Sequence, residues 1–203
     1  MEYVLNEGEG KKTILFFVPD DKVENVINRT ILDVTSKSLD KEKVDEIYLC
    51  IKEIVNYFTA VNILRATGGD KISFDSKVRL LLNDSYLNYF KGKAIARKNF
   101  IEVRIIERKD GIMIEVINSE PIPQEHEKKI RDLMRKLSSG EEINFSLMGD
   151  NYDFIYSILT IWSILVDLGI DRKYFRLGNI DNRALVRIEI PFSENYTSIR
   201  DED

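Results

Sequence analysis

The sequence predicts an α+β fold, a two-layer sandwich in which helices cover one face of a mixed, mainly antiparallel sheet. Three observations predict this fold class. Residues 100–123 have the pattern of a β-hairpin that runs into a polar turn, residues 41–66 have the spacing of a long amphipathic helix, and residues 184–190 alternate like a strand. Antiparallel strands combined with long helices bury one sheet face and leave the other open. We expect the open face either to meet solvent or to pair with another surface.

The composition indicates one domain that spans residues 1–203, with residues 1–12 as an N-terminal extension and residues 193–203 as a frayed acidic tail. The 203 residues are 43% hydrophobic, which is enough for a sizeable core. The formal net charge is -5 and the pI is about 5.2. Electrostatics therefore give no reason to expect a nucleic-acid or anionic-membrane partner.

One cysteine, Cys50, and one histidine, His126, exclude an internal disulfide framework and a zinc or redox cluster, so we predict no metal site. His126 falls in a Glu-rich helix, which we expect to expose it. The N-terminus lacks the basic and then apolar plan of a signal peptide. The apolar run 154–166 is shorter than the ~20 residues that span a bilayer. These features predict a cytoplasmic protein with no membrane partner.

The first third of the chain has the pattern of one strand and two helices. Residues 13–18 form a short strand that Pro19 ends, and Asp20 or Asp21 can cap the helix that follows. Residues 41–66 form the second helix, because their apolar residues recur at helical spacing. The apolar stripes consist of Val23, Val26, Ile27, Ile31 and Val34 in the first helix and of Val44, Ile47, Tyr48, Ile51, Ile54, Val55, Phe58 and Val61 in the second.

The middle of the chain is a weakly periodic helix followed by the hairpin. Residues 76–90 lead, as a connector, into the basic run 91–98. In the hairpin, apolar residues alternate with charged ones on the first strand, and residues 109–111 make the turn. The returning strand ends at Asn118, where a polar side chain follows a core strand. Such a position is a common place for a ligand contact in folds that combine helices and strands.

The last third contains two more helices and two more strands. A charged helix begins after Pro123, residues 138–152 are a polar loop, and residues 153–168 are an apolar core helix. Residues 173–178 and 184–190 are the final strands. The apolar face of the charged helix consists of Ile130, Leu133, Met134 and Leu137.

This order of elements over residues 13–192 resembles the histidine-kinase-like (GHKL) ATPase superfamily and is closest in plan to anti-sigma-factor kinases. In that family a long helix carries Glu-x-x-x-Asn. The Glu activates the attacking water and the Asn holds Mg²⁺, and the i, i+4 spacing puts both on one helix face. Here the resemblance places Glu53 at the catalytic position, but Tyr57 stands where the Asn belongs, and a tyrosine is a poor Mg²⁺ ligand. A rival register is Asp84 with Asn88 in the third helix, where Asn88 would take the metal-binding position.

Two further motifs of the family are also altered. Asn118 stands in place of the Asp that binds the adenine amine; its carbonyl can accept that hydrogen bond, although less strongly, or it only caps the turn. Glu120 replaces a turn glycine. Of the lid glycines that cradle phosphates, only Gly149 remains, and Asp150 and Asp153 beside it would repel a phosphate.

The resemblance therefore implies a cytoplasmic regulatory or signalling protein with a degenerate, weak or non-hydrolysing nucleotide site that acts through protein–protein interaction. We expect no cofactor and no enzymatic activity, a protein partner at residues 124–152 or at the open sheet face, and a homodimer as one form of such pairing. The alternative is a functional ATP-binding regulator, a serine kinase of the anti-sigma type or an ATPase. It would use Glu53 or Asp84 as the base, Asn88 or Asn62 at Mg²⁺, and Asn118 at the adenine of ATP. A third hypothesis, a nucleic-acid-binding module, centres on the basic run 91–98.

Overall fold

The computed structural model of the chain describes residues 3–66, 84–139, 141 and 152–201. The helices are α1 (Asp21–Thr35), α2 (Lys41–Ala66), α3 (Asp84–Arg97), α4 (Gln124–Ser139) and α5 (Tyr152–Asp167). The strands are β1 (Tyr3–Gly8), β2 (Lys11–Phe16), β3 (Ile101–Arg108), β4 (Gly111–Asn118), β5 (Phe175–Ile180) and β6 (Arg183–Pro191). Two 3₁₀ turns, Arg172–Tyr174 and Ile199–Asp201, precede β5 and follow β6.

The six strands form one sheet in the order β1-β2-β3-β4-β6-β5. Every pair of neighbours among these strands is antiparallel. The described sheet is therefore fully antiparallel, and the prediction of a mixed sheet is wrong. Tight turns explain the pairs β1–β2, β3–β4 and β5–β6, because a short connection joins strands that run in opposite directions, whereas β2–β3 and β4–β6 meet only through long connections. Asp181 and Asn182 both take a positive φ, of 49° and 61°, in the turn between β5 and β6.

The core lies between the helices and one face of the sheet, as the two-layer prediction requires. Alternate strand residues such as Ile14, Val103 and Ile114 join the buried residues of α1, α2, α4 and α5 in one apolar cluster. Helix α2 is central, since it contacts α1, α3, α5, β3 and β4. No described helix is long and apolar enough to cross a membrane.

Helix α3 ends later than the sequence analysis predicted. The basic run is part of this helix, which continues to Arg97, because Phe90 and Ala94 pack against Ile63 and Val18 in a second small apolar cluster. Packing to α2 thus extends a segment that has little periodicity of its own.

The N-terminal residues, predicted as an extension, add a strand to the sheet. Residues 3–8 pair with β2 through a two-residue turn in which Gly10 takes a φ of 66° at no side-chain cost. The three apolar residues of this segment are consecutive and do not alternate with polar ones, so pairing with β2 rather than sequence pattern makes it a strand.

Residues 193–201, the described part of the predicted tail, do not fray. Tyr196 and Ser198 are buried where the chain returns across the open face of the sheet, next to the fully buried Glu189 on β6. The Tyr196 ring lies over Gly111, where an added Cβ would be 2.4 Å from it. Hydrogen bonds to Glu189 hold this segment, and no local pattern in residues 193–203 indicates them.

Candidate functional site

Asn118 lies where the hairpin prediction places it, at the end of β4 on the face that packs against the helices. It is opposite Ile101 of β3 and Ala184 of β6, and it is fully buried. Its Nδ2 donates to the carbonyl oxygen of Glu120 at 2.9 Å, which closes the turn. Its Oδ1 is buried and accepts no hydrogen bond from any described residue. The side chain therefore caps the turn and also keeps an unused acceptor, which is costly in a core.

The turn after Asn118 is held to the start of β3. The backbone N–H of Phe100 donates to Ser119 Oγ at 2.9 Å, and the N–H of Ser119 donates back to the Phe100 carbonyl at 3.0 Å. With its amide oriented to satisfy both neighbours, Asn99 donates to Glu120 Oε1 at 3.1 Å. The carboxylate of Glu120 is thus tied to the strand beside the turn.

A second polar contact links the same turn to β5. Asn179 Oδ1 accepts from the N–H of Ile122 at 2.8 Å, and its Nδ2 donates to the Ile122 carbonyl at 3.1 Å and to Glu127 Oε2 at 3.0 Å. This one amide fixes the chain as it enters α4. Asn179 has no signal in the sequence, because its partners are more than fifty residues away in the chain.

Glu53 lies on α2 and is half-buried towards α5. Its Oε2 accepts from Ser157 Oγ at 3.4 Å. Glu53 therefore takes part in the contact between α2 and α5. This contact gives the carboxylate a structural role that does not depend on any catalytic one.

Tyr57, four residues after Glu53, is 3% exposed and packs between α2 and α4. Its hydroxyl is 3.5 Å from Nδ1 of His126, and the two ring centroids are 6.5 Å apart. Burial raises the pKa of Tyr57 well above its ordinary value, and burial, with Lys129 nearby, lowers the pKa of His126. Both rings are therefore neutral at pH 7, which fits a Tyr57 hydroxyl that donates to His126 Nδ1.

His126 is buried, so the expectation of an exposed histidine is wrong. A signal for this was present in the sequence. Spacings of four, seven and eight residues lead from His126 to Ile130, Leu133 and Met134, so the histidine continues the apolar stripe of α4. The large ring at the start of this stripe lies against Tyr57 instead of facing solvent.

Asn62, also on α2, is fully buried, and neither its Oδ1 nor its Nδ2 has a hydrogen-bond partner within the described part of the chain. An amide whose two polar atoms are both unpaired in a core is rare. From the sequence, Asn62 was predicted only as an alternative Mg²⁺ ligand.

No described contact places the residues of the rival register beside Glu53, Tyr57 or Asn118. Asn88 is exposed on α3 and has no hydrogen bond to Glu53, Tyr57 or Asn118 among the described residues. Asp84 begins α3, and its side chain lies outside the described residues, as do Gly149 and Asp150. No group of three or more His, Cys, Asp or Glu side chains suited to a metal ion occurs in the described ranges.

The basic and aromatic residues around α3 are largely engaged within the chain. Lys91 pairs with Asp20 at 3.4 Å, Arg97 donates to the Arg65 carbonyl at 2.9 Å, and Lys93 lies over the ring of Tyr89 at 4.7 Å. These contacts provide structural roles for a run that was the basis of the nucleic-acid hypothesis.

Comparison with family models, curated proteins and solved structures gives no match to this chain. The fold and the site define its class by themselves: an α+β sandwich with a six-stranded antiparallel sheet and a buried polar turn at the end of a central strand.

The His126 ring gives the native protein a pH dependence that can be measured. Because the folded-state pKa is below the ordinary value of 6.5, the unfolded state binds the proton more readily. This part of the stability is fully present above pH 6.5 and falls as the pH decreases through 6.5 towards the folded pKa. Urea unfolding at pH 7.5 and 5.5 is expected to show a larger loss for the native chain than for His126→Gln. Equal losses in both proteins would contradict the buried neutral ring.

Proposed function

We propose that this chain is a cytoplasmic regulatory protein of the histidine-kinase-like ATPase type, whose nucleotide site has degenerated and which acts by binding another protein. The observation that carries the proposal is the contact between Tyr57 and His126. In the family that the sequence resembles, the position of Tyr57 belongs to the asparagine that holds Mg²⁺. Here that position is taken by a buried aromatic ring that packs against the start of α4.

Two features support the same conclusion. A neutral phenol in an apolar setting is a poor ligand for a hard cation, which prefers carboxylate, amide and carbonyl oxygens. The turn after Asn118 is tied to β3 and β5 by its own hydrogen bonds, including one from Asn118 Nδ2. The turn beside the predicted adenine position is thus closed by hydrogen bonds within the chain, although Asn118 Oδ1 itself stays unpaired among the described residues.

The second candidate is a working ATP-binding regulator, and one observation favours it. The Oδ1 of Asn118 and both polar atoms of Asn62 are buried without partners among the described residues. Bringing a hydrogen-bond donor such as an adenine amine to Asn118 would satisfy an acceptor that otherwise costs about 1–3 kcal/mol. A bound nucleotide would therefore offset the cost of the unpaired acceptor, which a degenerate site does not explain.

Titration calorimetry with a non-hydrolysable ATP analogue and Mg²⁺ separates the two candidates. The degenerate site predicts no binding heat up to about 1 mM ligand, where the binding free energy would be about -4 kcal/mol. Micromolar binding that Asn118→Ala abolishes would contradict the proposal and establish the second candidate. The exposed variant Asn195→Ala is the matched control, because it changes the same residue type away from the buried turn.

A further inference from the structure

Four arginines from four different elements meet at one cleft on the β5 side of the molecule. Arg131 belongs to α4, Arg176 to β5, and Arg172 and Arg200 to the two 3₁₀ turns. The cleft has a volume of about 210 Å³, and Glu127 is the one carboxylate among its lining residues. Elements far apart in the chain thus bring positive charge together in a protein whose net charge is -5.

Much of this charge is not neutralised by the protein itself. Arg131 pairs with Glu127 at 3.4 Å, and Glu127 also accepts from Asn179. Arg172 and Arg176 are exposed and form no ion pair with any residue that the structure describes. Guanidinium groups offer several donors in a fixed plane and suit carboxylate or phosphate ligands.

The cleft lies along the outer edge of the sheet. The N–H of Phe175 donates to the Arg172 carbonyl, and the carbonyl of Phe175 accepts from Arg200 Nη2 at 3.3 Å, so both backbone groups point away from β6. These two contacts occupy both backbone groups of Phe175. Because a strand repeats every two residues, Leu177 presents its N–H and C=O to the same side, and it is the pairing position within the cleft. None of the described strands pairs with this side of β5. Leu177 and Phe175 also line the cleft with apolar surface.

We propose that this edge binds an acidic peptide in extended conformation, which pairs with Leu177 on the outer side of β5 and places its carboxylates among the four arginines. An unpaired strand edge supplies backbone hydrogen bonds, and side-chain pockets then select the sequence. Charged residues on an edge strand ordinarily prevent aggregation, but three of these arginines come from elements other than β5. A free phosphate would use the guanidinium groups alone and leave the strand edge and the apolar surface without a role. The inference rests on the proposed function for its claim that the partner is a protein.

Fluorescence polarisation with a labelled eight-residue peptide that alternates glutamate with valine tests the proposal. The full chain is expected to bind it, with an affinity that falls at least tenfold when Arg172→Glu and Arg176→Glu are combined. The exposed pair Lys128→Glu and Arg135→Glu makes the same charge change outside the cleft and is expected to change affinity less than threefold. Circular dichroism checks that both variants keep the native fold.

A peptide N-methylated at alternate residues separates strand pairing from charge attraction, because it keeps every carboxylate and loses the backbone donors. It is expected to bind at least tenfold more weakly than the parent. The proposal is overturned by equal binding of the two peptides, by no binding of the parent, or by full displacement with millimolar inorganic phosphate. The nucleotide titration tests a different part of the molecule. ATP binding would therefore contradict the proposed function without changing the interpretation of peptide binding.

Discussion

Glu189→Ala is expected to lower the free energy of unfolding by about 3–5 kcal/mol, because it removes one member of a buried ionic network. The side chain of Glu189 is fully buried and is 3.5 Å from Arg187 Nε. It accepts from the Tyr196 hydroxyl at 3.0 Å, from Ser198 Oγ at 3.2 Å and from the N–H of Ile199 at 3.1 Å. Without the carboxylate, Arg187 keeps a charge in a site that is 8% exposed, and three donors lose their acceptor.

Urea unfolding followed by circular dichroism measures this loss, and limited proteolysis shows where the structure opens. Glu189→Ala is expected to be cut within residues 193–201 at a protease level that leaves the native chain intact. Glu194→Ala, an exposed glutamate of the same segment, is expected to stay within about 0.5 kcal/mol of the native chain. Glu189→Gln keeps two polar atoms in place, and its loss of stability is expected to lie between those of Glu189→Ala and Glu194→Ala. A loss below 1 kcal/mol for Glu189→Ala would mean that the C-terminal segment is not held by this carboxylate.

The parts of the fold that the sequence predicted are those that local pattern determines. Apolar spacing within α2 and alternation along β3 and β4 depend on neighbours in the chain, and the structure confirms all three elements. The burial of Tyr196 instead depends on Glu189 and Gly111, which come from two different strands. The residues around Tyr196 carry no local pattern that indicates those partners. From its composition alone, the segment was therefore predicted to be a frayed tail.

The residues of the candidate site show the same division between what local pattern determines and what tertiary packing determines. Asn118 was found because a polar residue ends a periodic strand, and that strand ends as predicted. Glu53 and Tyr57 were placed on the correct helix, but their partners on α5 and α4 come from tertiary packing. Asn179 had no signal of its own, since its role depends on where Ile122 crosses the end of β5. Position along an element was predictable, and the partner across the interface was not.

Tyr57→Ala is expected to destabilise the protein by about 3–5 kcal/mol, because it leaves a cavity where a buried ring joins α2 to α4. Tyr57→Phe keeps the ring and removes only the hydroxyl near His126, so a loss of about 1 kcal/mol is expected. Thermal and urea unfolding measure both. Tyr89→Ala is the matched control, because its ring is 60% exposed and has only Lys93 and the partly buried Tyr86 as ring contacts among the described residues. It is expected to cost less than about 1 kcal/mol.

The same variants test the reason for proposing a closed nucleotide site. If Tyr57 links the two helices, then Tyr57→Phe and His126→Gln should be non-additive, since each removes the same hydroxyl–imidazole contact. A coupling energy of at least about 0.5 kcal/mol in this double-mutant cycle is expected. A cost near zero for Tyr57→Ala would show that the ring can leave its place between α2 and α4 at little expense. A nucleotide could then displace it, and the working ATP-binding regulator would become the better account of the unpaired atoms of Asn62 and Asn118.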